Sequence, residues 1–152
     1  LCKGVRFTVG LDTIITGPLD DIVSSRVAKL GVCTDPIYPD KICNAVTLST
    51  PEFCKEFWGM WEGNELQLIP ESRLWQDNLP SAPSEMVLMR KFYGNSPRID
   101  RVFPGRIVSY KVQIRDSAVP AGVVSGASIV YFHGHPKPHH LTGEQWVQEN
   151  WK

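Results

Sequence analysis

Runs of apolar and β-branched residues, several of them alternating with polar ones, predict short β-strands along this chain. The predicted strands are residues 5–9, 12–16, 31–33, 42–48, 107–114 and 128–132. Helical signals fall between them, at residues 19–29, at 84–93 and after a capping-box pattern at 142–145. Polar or small residues predict loops at 70–83 and 118–126. Strands interspersed with short helices indicate an α/β or α+β domain.

The clearest helix start in the chain is Thr50-Pro51-Glu52. It combines an N-cap threonine, a proline at the first helical position and an acid in the first turn, and it predicts a helix that runs to about residue 62. Four aromatic side chains of this helix fall on one face, which we expect to pack in the core: Phe53, Phe57, Trp58 and Trp61.

Composition and charge argue against a nucleic-acid-binding protein and against a membrane-spanning one. The 152 residues suit one domain, 1–152, and the net charge of +0 gives no basic field that would recruit nucleic acid. No apolar run approaches the roughly 18 residues that a membrane span needs. The four cysteines form no C-x-x-C pair, which argues against a zinc knuckle. Cys33 and Cys43 could be bridged, but we expect buried free thiols, because a chain of this length needs no disulfide. The expected location is the cytoplasm, or a virion if the protein is phage-encoded.

The candidate chemistry lies first in the segment that follows the predicted strand 128–132. Lys137 stands between Pro136 and Pro138, and a lysine on such a stiff loop suits a phosphate. Gly134 allows the backbone to approach a ligand closely. The same segment holds all four histidines, which could bind a transition metal or could simply occur on a solvated loop: His133, His135, His139 and His140.

Asp12 is the second candidate. It follows an apolar run at residues 5–9, where an aspartate is often a turn former but can also bind Mg²⁺ or Mn²⁺ through its oxygens. A carboxylate together with a loop of histidine and lysine is what diphosphate chemistry needs, because a metal can bridge the two phosphates while a cation stabilises the leaving group.

Several segments, in order along the chain, resemble known motifs. Residues 9–22 are similar to the region around the aspartate motif of GT-A glycosyltransferases, and 131–139 resembles their C-terminal H-F-x-G-x-x-K-P-W motif, in the glycogenin-like and galactosyltransferase-like branch. Small bacterial and phage glycosyltransferase-like proteins are more similar still. Their motifs match residues 103–111 (FPGRIVSYK), 132–138 (FHGHPKP) and 146–151 (WVQENW).

The resemblance implies an α/β fold that is part of a GT-A, Rossmann-like domain with a mixed sheet. It implies transfer of a sugar from a nucleotide-diphosphate donor to an unknown acceptor, assisted by Mn²⁺ or Mg²⁺. By the same resemblance, each candidate residue takes a role. Asp12 and His133 would bind the metal, Gly134, Lys137 and Pro138 the diphosphate, and Glu85 and Asn44 would face the donor sugar or the acceptor.

Four departures from the family pattern leave alternatives open. Gly10 stands where the motif has its first aspartate, and Tyr131 stands where it has a metal-binding histidine. Residues 84–86 (SEM) replace a G-D-Q motif but keep an acid at Glu85, and the sequence begins about ten residues before the aspartate motif. A missing N-terminal half or a partner chain would then complete the nucleotide pocket. The alternative function is an inactive, glycosyltransferase-derived binding or structural module, for example of a phage particle or larger assembly. A plain histidine-loop metal site without sugar chemistry is a third possibility.

Overall fold

The computed structural model describes residues 4–64 and 85–151. Its strands are β1 (Arg6–Val9), β2 (Thr13–Ile15), β3 (Leu30–Thr34), β4 (Ile42–Ser49), β5 (Ile107–Ser109) and β6 (Ile129–Tyr131). Its α-helices are α1 (Asp20–Val23), α2 (Pro51–Trp61), α3 (Glu85–Tyr93), α4 (Ile99–Val102), α5 (Pro120–Gly126) and α6 (Gln145–Asn150). A π-helix (Tyr110–Arg115) and a 3₁₀-helix (Pro138–His140) complete the described part of the chain.

The strands form two small sheets of three strands each. In the first, β4 lies between β1 and β3, and both pairings are antiparallel. In the second, β6 pairs antiparallel with β2 and parallel with β5. The mixed α/β class with short helices is therefore confirmed, but the strands form two sheets where one mixed sheet was predicted. The division falls at the turn after Val9, where the chain leaves β1 and enters β2 of the other sheet.

The core is organised around β6, which is buried on both faces. Ile129 and Tyr131 pack in a cluster that also contains Val46 and Leu48 of β4, so the two sheets share one core. Val130 points the opposite way, into a second cluster that includes residues of the π-helix and α6. Successive side chains of a strand alternate between its faces, so three residues are enough to serve both clusters. This position fixes where the chain emerges from β6 at His133.

Most of the locally encoded elements are where they were predicted. Thr50 accepts a hydrogen bond from the Phe53 amide at 3.3 Å, Pro51 opens α2, and the helix ends at Trp61. The aromatic face was only partly predicted: Phe53 is buried, whereas Trp58 is 59% exposed. Five residues along an α-helix correspond to a rotation of about 140°, which carries Trp58 out of the core.

The prediction was wrong for two segments in the C-terminal half. Only the first three residues of the predicted strand 107–114 are extended, because the Ser109 amide donates to Gln113 Oε1 at 2.7 Å and a π-helix follows. The predicted loop 118–126 contains α5, which begins at Pro120 in its favoured first position.

Smaller differences concern the ends of two helices. The helix predicted at 19–29 is only the single turn α1, and α6 begins after Glu144 without a side-chain cap, so the predicted capping box is absent there. The predicted loop 70–83 lies outside the described residues. No helix within 4–64 or 85–151 combines the length and apolarity that a membrane crossing requires.

Cys33 and Cys43 are buried free thiols, as predicted, and they lie opposite each other in the register of β3 and β4. Cys54 is also a free thiol, and Cys2 lies outside the described residues.

Gly31 marks the closest approach of β3 to its neighbours. A Cβ atom at this position would lie 2.7 Å from Ile99 Cγ2 and 2.9 Å from Val27 Cγ1. We therefore expect Gly31→Ala to lower the free energy of unfolding by about 1–3 kcal/mol, measured by urea denaturation. The matched control is Gly59→Ala in α2, where no atom lies within 4 Å and a gain of about 0.5–1 kcal/mol is expected. A Gly31→Ala protein as stable as the original would contradict this packing.

Candidate functional site

The pairing of β2 with β6 brings the two candidate segments together. Thr13 lies opposite Tyr131, and the Phe132 amide donates to the Asp12 carbonyl at 3.1 Å. Asp12 immediately precedes β2 and His133 follows β6 closely, so both residues lie at the same end of the second sheet. Residues that are far apart in sequence thus form one surface.

Lys137 contacts Asp12 directly. Its ammonium group donates to Asp12 Oδ2 and forms an ion pair across 125 residues of sequence, with both side chains about one third exposed. The backbone of Lys137 is fixed as well, because its amide donates to His140 Nδ1 at 2.9 Å and its carbonyl accepts from the His140 amide at 2.9 Å. The next residue, Pro138, is buried. The structure therefore holds the Lys137 charge at a defined place.

His133 is held from the side of β5. Its Nε2 atom lies 2.8 Å from Ser109 Oγ, at hydrogen-bonding distance. Burial lowers the pKa of His133, and the positive charges of Lys111 and Lys137 lower it further, against an opposing effect of Asp35. His133 is thus a neutral, hydrogen-bonded imidazole in positive surroundings. Sequence reasoning did not select Ser109, which reaches His133 only because β5 and β6 run side by side.

Gly134 and Lys111 lie next to each other. Gly134 has a φ of +65°, a conformation that favours glycine, and a Cβ atom built there would lie 3.5 Å from Lys111 Nζ. Within the described residues, the Lys111 side chain makes no hydrogen bond or ion pair. Lys111 belongs to the motif at 103–111 and to the segment for which a strand was predicted. Lys111 is the second residue of the π-helix, and its ammonium group lies beside the loop.

Asn44 and Glu85 form a pair of their own. Asn44 Nδ2, on β4, donates to Glu85 Oε1, the first residue of α3, at 2.9 Å. A link to Asp12 runs through Gly10, whose amide donates to the Ala45 carbonyl at 2.9 Å. A Cβ atom added to Gly10 would lie 3.2 Å from Asp12 Oδ1. Asn44 is therefore bonded to Glu85, and it is the chain neighbour of Ala45, which bonds to Gly10. Their roles toward a sugar or an acceptor stay predictions.

The two side chains that the resemblance assigns to a divalent cation already contact other side chains. Asp12 Oδ2 is paired with Lys137, and His133 Nε2 is engaged by Ser109. In the part of the chain that the structure describes, no three His, Cys, Asp or Glu side chains converge in a way that could hold a metal ion. One paired carboxylate and one engaged imidazole do not fit Mn²⁺ or Mg²⁺, which take several oxygen ligands.

Comparisons with known proteins add no relative: the chain matches no protein-family model, and a search of curated proteins finds no significant match.

Proposed function

We propose that this chain is a glycosyltransferase-like protein that binds a nucleotide-diphosphate sugar, with the diphosphate on the loop at 133–138 and against Lys137. We also propose that its two small sheets correspond to part of a GT-A fold. The observation that carries the proposal is the contact between Asp12 and Lys137. It joins the two segments in which the resemblance was found, at one end of one sheet, where α/β proteins commonly bind anionic ligands.

In this proposal, each residue of the loop has a physical task. Lys137 supplies a fixed positive charge, Gly134 lets the backbone approach the phosphates, and buried Pro138 anchors the loop. During transfer, the bond between the anomeric carbon and the phosphate oxygen breaks, and the acceptor hydroxyl oxygen bonds to that carbon while giving up its proton, which the Glu85 carboxylate would accept. The negative charge that develops on the departing diphosphate is what a fixed cation stabilises. Asn44 and Glu85 would present an amide and a carboxylate to the donor sugar or the acceptor.

The resemblance also implies Mn²⁺ or Mg²⁺ at Asp12 and His133. Only the resemblance supports a metal-assisted reaction, which stays a proposal. A second candidate function is a binding module that holds the nucleotide sugar but does not transfer it. Gly10 favours this candidate, because the position that faces Asp12 carries no second carboxylate. Release of free nucleoside diphosphate from the bound donor would distinguish a transferase from such a module.

Lys137→Ala tests the proposal. We expect this change to weaken binding of a nucleotide-diphosphate sugar by about 1.5–3 kcal/mol, the value of a hydrogen bond to a charged group. Binding is measured as thermal stabilisation by UDP-, GDP- and CDP-sugars, where ligand at about 100 times its dissociation constant adds roughly 2.7 kcal/mol.

The matched control for this experiment is Lys55→Ala, which removes an exposed lysine from α2 in the other half of the fold. It should leave the thermal shift unchanged. If none of the three donors stabilises the original protein, or if Lys137→Ala is stabilised equally, the loop does not bind a diphosphate.

A further inference from the structure

The loop at 133–138 is approached by two ammonium groups, of which sequence analysis identified only one. Lys137 Nζ lies on Asp12, and Lys111 Nζ lies beside Gly134, the residue whose backbone is open to a ligand. Both lysines are half-buried. Their positions are set independently, Lys111 by the π-helix and Lys137 by the 3₁₀-helix after the loop. Two cations from separate elements therefore converge on one short stretch of backbone.

The two lysines differ in whether a carboxylate neutralises them. Lys137 is paired with Asp12, whereas the side chain of Lys111 makes no ion pair within residues 4–64 and 85–151. Two further carboxylates act here at longer range, Asp116 on Lys111 and Asp35 on His133, but each is itself paired with an arginine. Among the described residues, Asp12 is the carboxylate in direct contact, so the two ammonium groups outnumber it, a balance that attracts a diphosphate and disfavours a divalent cation. Lysine also binds phosphate as a point charge without needing a fixed direction of approach. The arrangement supplies the positive charge that a metal ion would otherwise bring.

Asp12 has a different task in this arrangement. Its carboxylate accepts a hydrogen bond from Lys137, and its own carbonyl is tied to the Phe132 amide at 3.1 Å. The side chain is therefore anchored at the end of β6 and holds the Lys137 ammonium group beside the loop. Gly10, which faces Asp12 Oδ1, adds no second carboxylate that a divalent ion could share.

We propose that Lys111 and Lys137 together bind the diphosphate without a divalent cation, and that Asp12 is a positioning residue for Lys137. This inference rests on the proposed binding of a nucleotide diphosphate. In it, the two lysines take the place of the divalent cation that the resemblance implies. It predicts that Lys111 contributes to binding as Lys137 does. It also predicts that the charge of Asp12 matters less than its oxygen atom, because an amide oxygen can accept from Lys137 as well.

The test uses UDP, GDP and CDP as probes in isothermal titration calorimetry, first in buffer stripped of metal with a chelating resin and then with added Mn²⁺. We expect a dissociation constant that changes by less than about threefold between the two buffers. Lys111→Ala should weaken binding at least about tenfold in both, a loss of roughly 1.4 kcal/mol. Lys111→Arg keeps the charge and should recover most of it, and Lys55→Ala should bind normally.

Substitutions of Asp12 distinguish binding by two lysines from binding through a metal ion. Asparagine preserves an oxygen for Lys137 but removes the carboxylate that a metal ion needs, whereas Asp12→Ala removes both. Asp12→Ala should therefore weaken binding, Asp12→Asn should restore most of it, and neither effect should depend on Mn²⁺. Binding that appears only with Mn²⁺, or that Asp12→Asn abolishes, would overturn this inference and leave the proposed function standing. No binding of any probe in either buffer would overturn the proposed function and this inference with it. A thermal midpoint close to that of the original protein confirms that each variant is folded.

Discussion

Replacing Arg90 by methionine should lower the free energy of unfolding by about 2–4 kcal/mol, because it leaves the buried carboxylate of Asp35 without its counter-charge. Arg90 Nη2 lies 2.5 Å from Asp35 Oδ2, and only 12% of the Asp35 side chain is exposed. Arg90 also donates through Nε to the Ile42 carbonyl at 3.0 Å. Methionine keeps much of the apolar stem of arginine, so the loss reports mainly on the charge and its hydrogen bonds.

A second substitution identifies the cause of that loss. The other oxygen of Asp35 accepts hydrogen bonds from the Ile37 and Tyr38 amides, both at 2.9 Å. Asparagine preserves one such oxygen but needs no counter-charge, so Asp35→Asn should recover part of the stability in the Arg90→Met background. Urea denaturation of the single and double variants measures this coupling.

The matched control for Arg90 is Arg115→Met. Arg115 also pairs with an aspartate, Asp116, at 2.6 Å, but the two side chains are 44% and 53% exposed. Exposed pairs of this kind contribute at most about 1 kcal/mol, so Arg115→Met should change stability little. Equal effects of Arg90→Met and Arg115→Met would show that burial of the Asp35 pair is not what makes it important.

The Arg90 interaction also matters for the candidate site. It ties α3 to the start of β4, and these two elements carry Glu85 and Asn44. The hydrogen bond between Asn44 and Glu85 joins the same two elements a second time. We therefore expect any change that loosens Arg90 to disturb the placement of Glu85 as well as the stability of the domain.

Elements that neighbouring residues encode on their own were predicted correctly from the sequence. The Thr50-Pro51 start of α2 and the apolar run of β6 depend on neighbouring residues alone, and both were predicted correctly. The strand predicted at 107–114 was wrong after its third residue, where the Ser109 amide donates to Gln113 and a π-helix begins. Alternation of side chains cannot reveal such a bond.

The site shows the same limit. Asp12 and Lys137 could each be selected from local sequence, since one follows an apolar strand and the other lies between two prolines. Their contact depends on the register of β2 against β6, which is a long-range pairing. Lys111 could not be selected, because its orientation depends on the unforeseen π-helix. Some residues of the site could thus be predicted from the sequence, but the presence of a second lysine could not.

That charge balance gives the largest effect expected on binding. Lys111→Ala and Lys137→Ala together should weaken nucleoside diphosphate binding by about 3–6 kcal/mol if each lysine contributes about 1.5–3 kcal/mol to a charged ligand. Because the two ammonium groups share one ligand, their effects are not independent, and we expect a combined loss toward the lower end of that range. Calorimetry with the nucleoside diphosphate that binds the original protein measures the loss, with each single variant beside the double.

The double variant should remain folded, which makes the loss of binding interpretable. Lys111 makes no ion pair with the described residues, and the Asp12–Lys137 pair is partly exposed, so its removal should cost at most about 1 kcal/mol of stability. If the double variant binds as well as Lys137→Ala alone, Lys111 does not contact the phosphates and the two-lysine arrangement is wrong. A further loss that is the same with and without Mn²⁺ would show that both ammonium groups act on the ligand directly, because a lost metal site would make the difference depend on the ion.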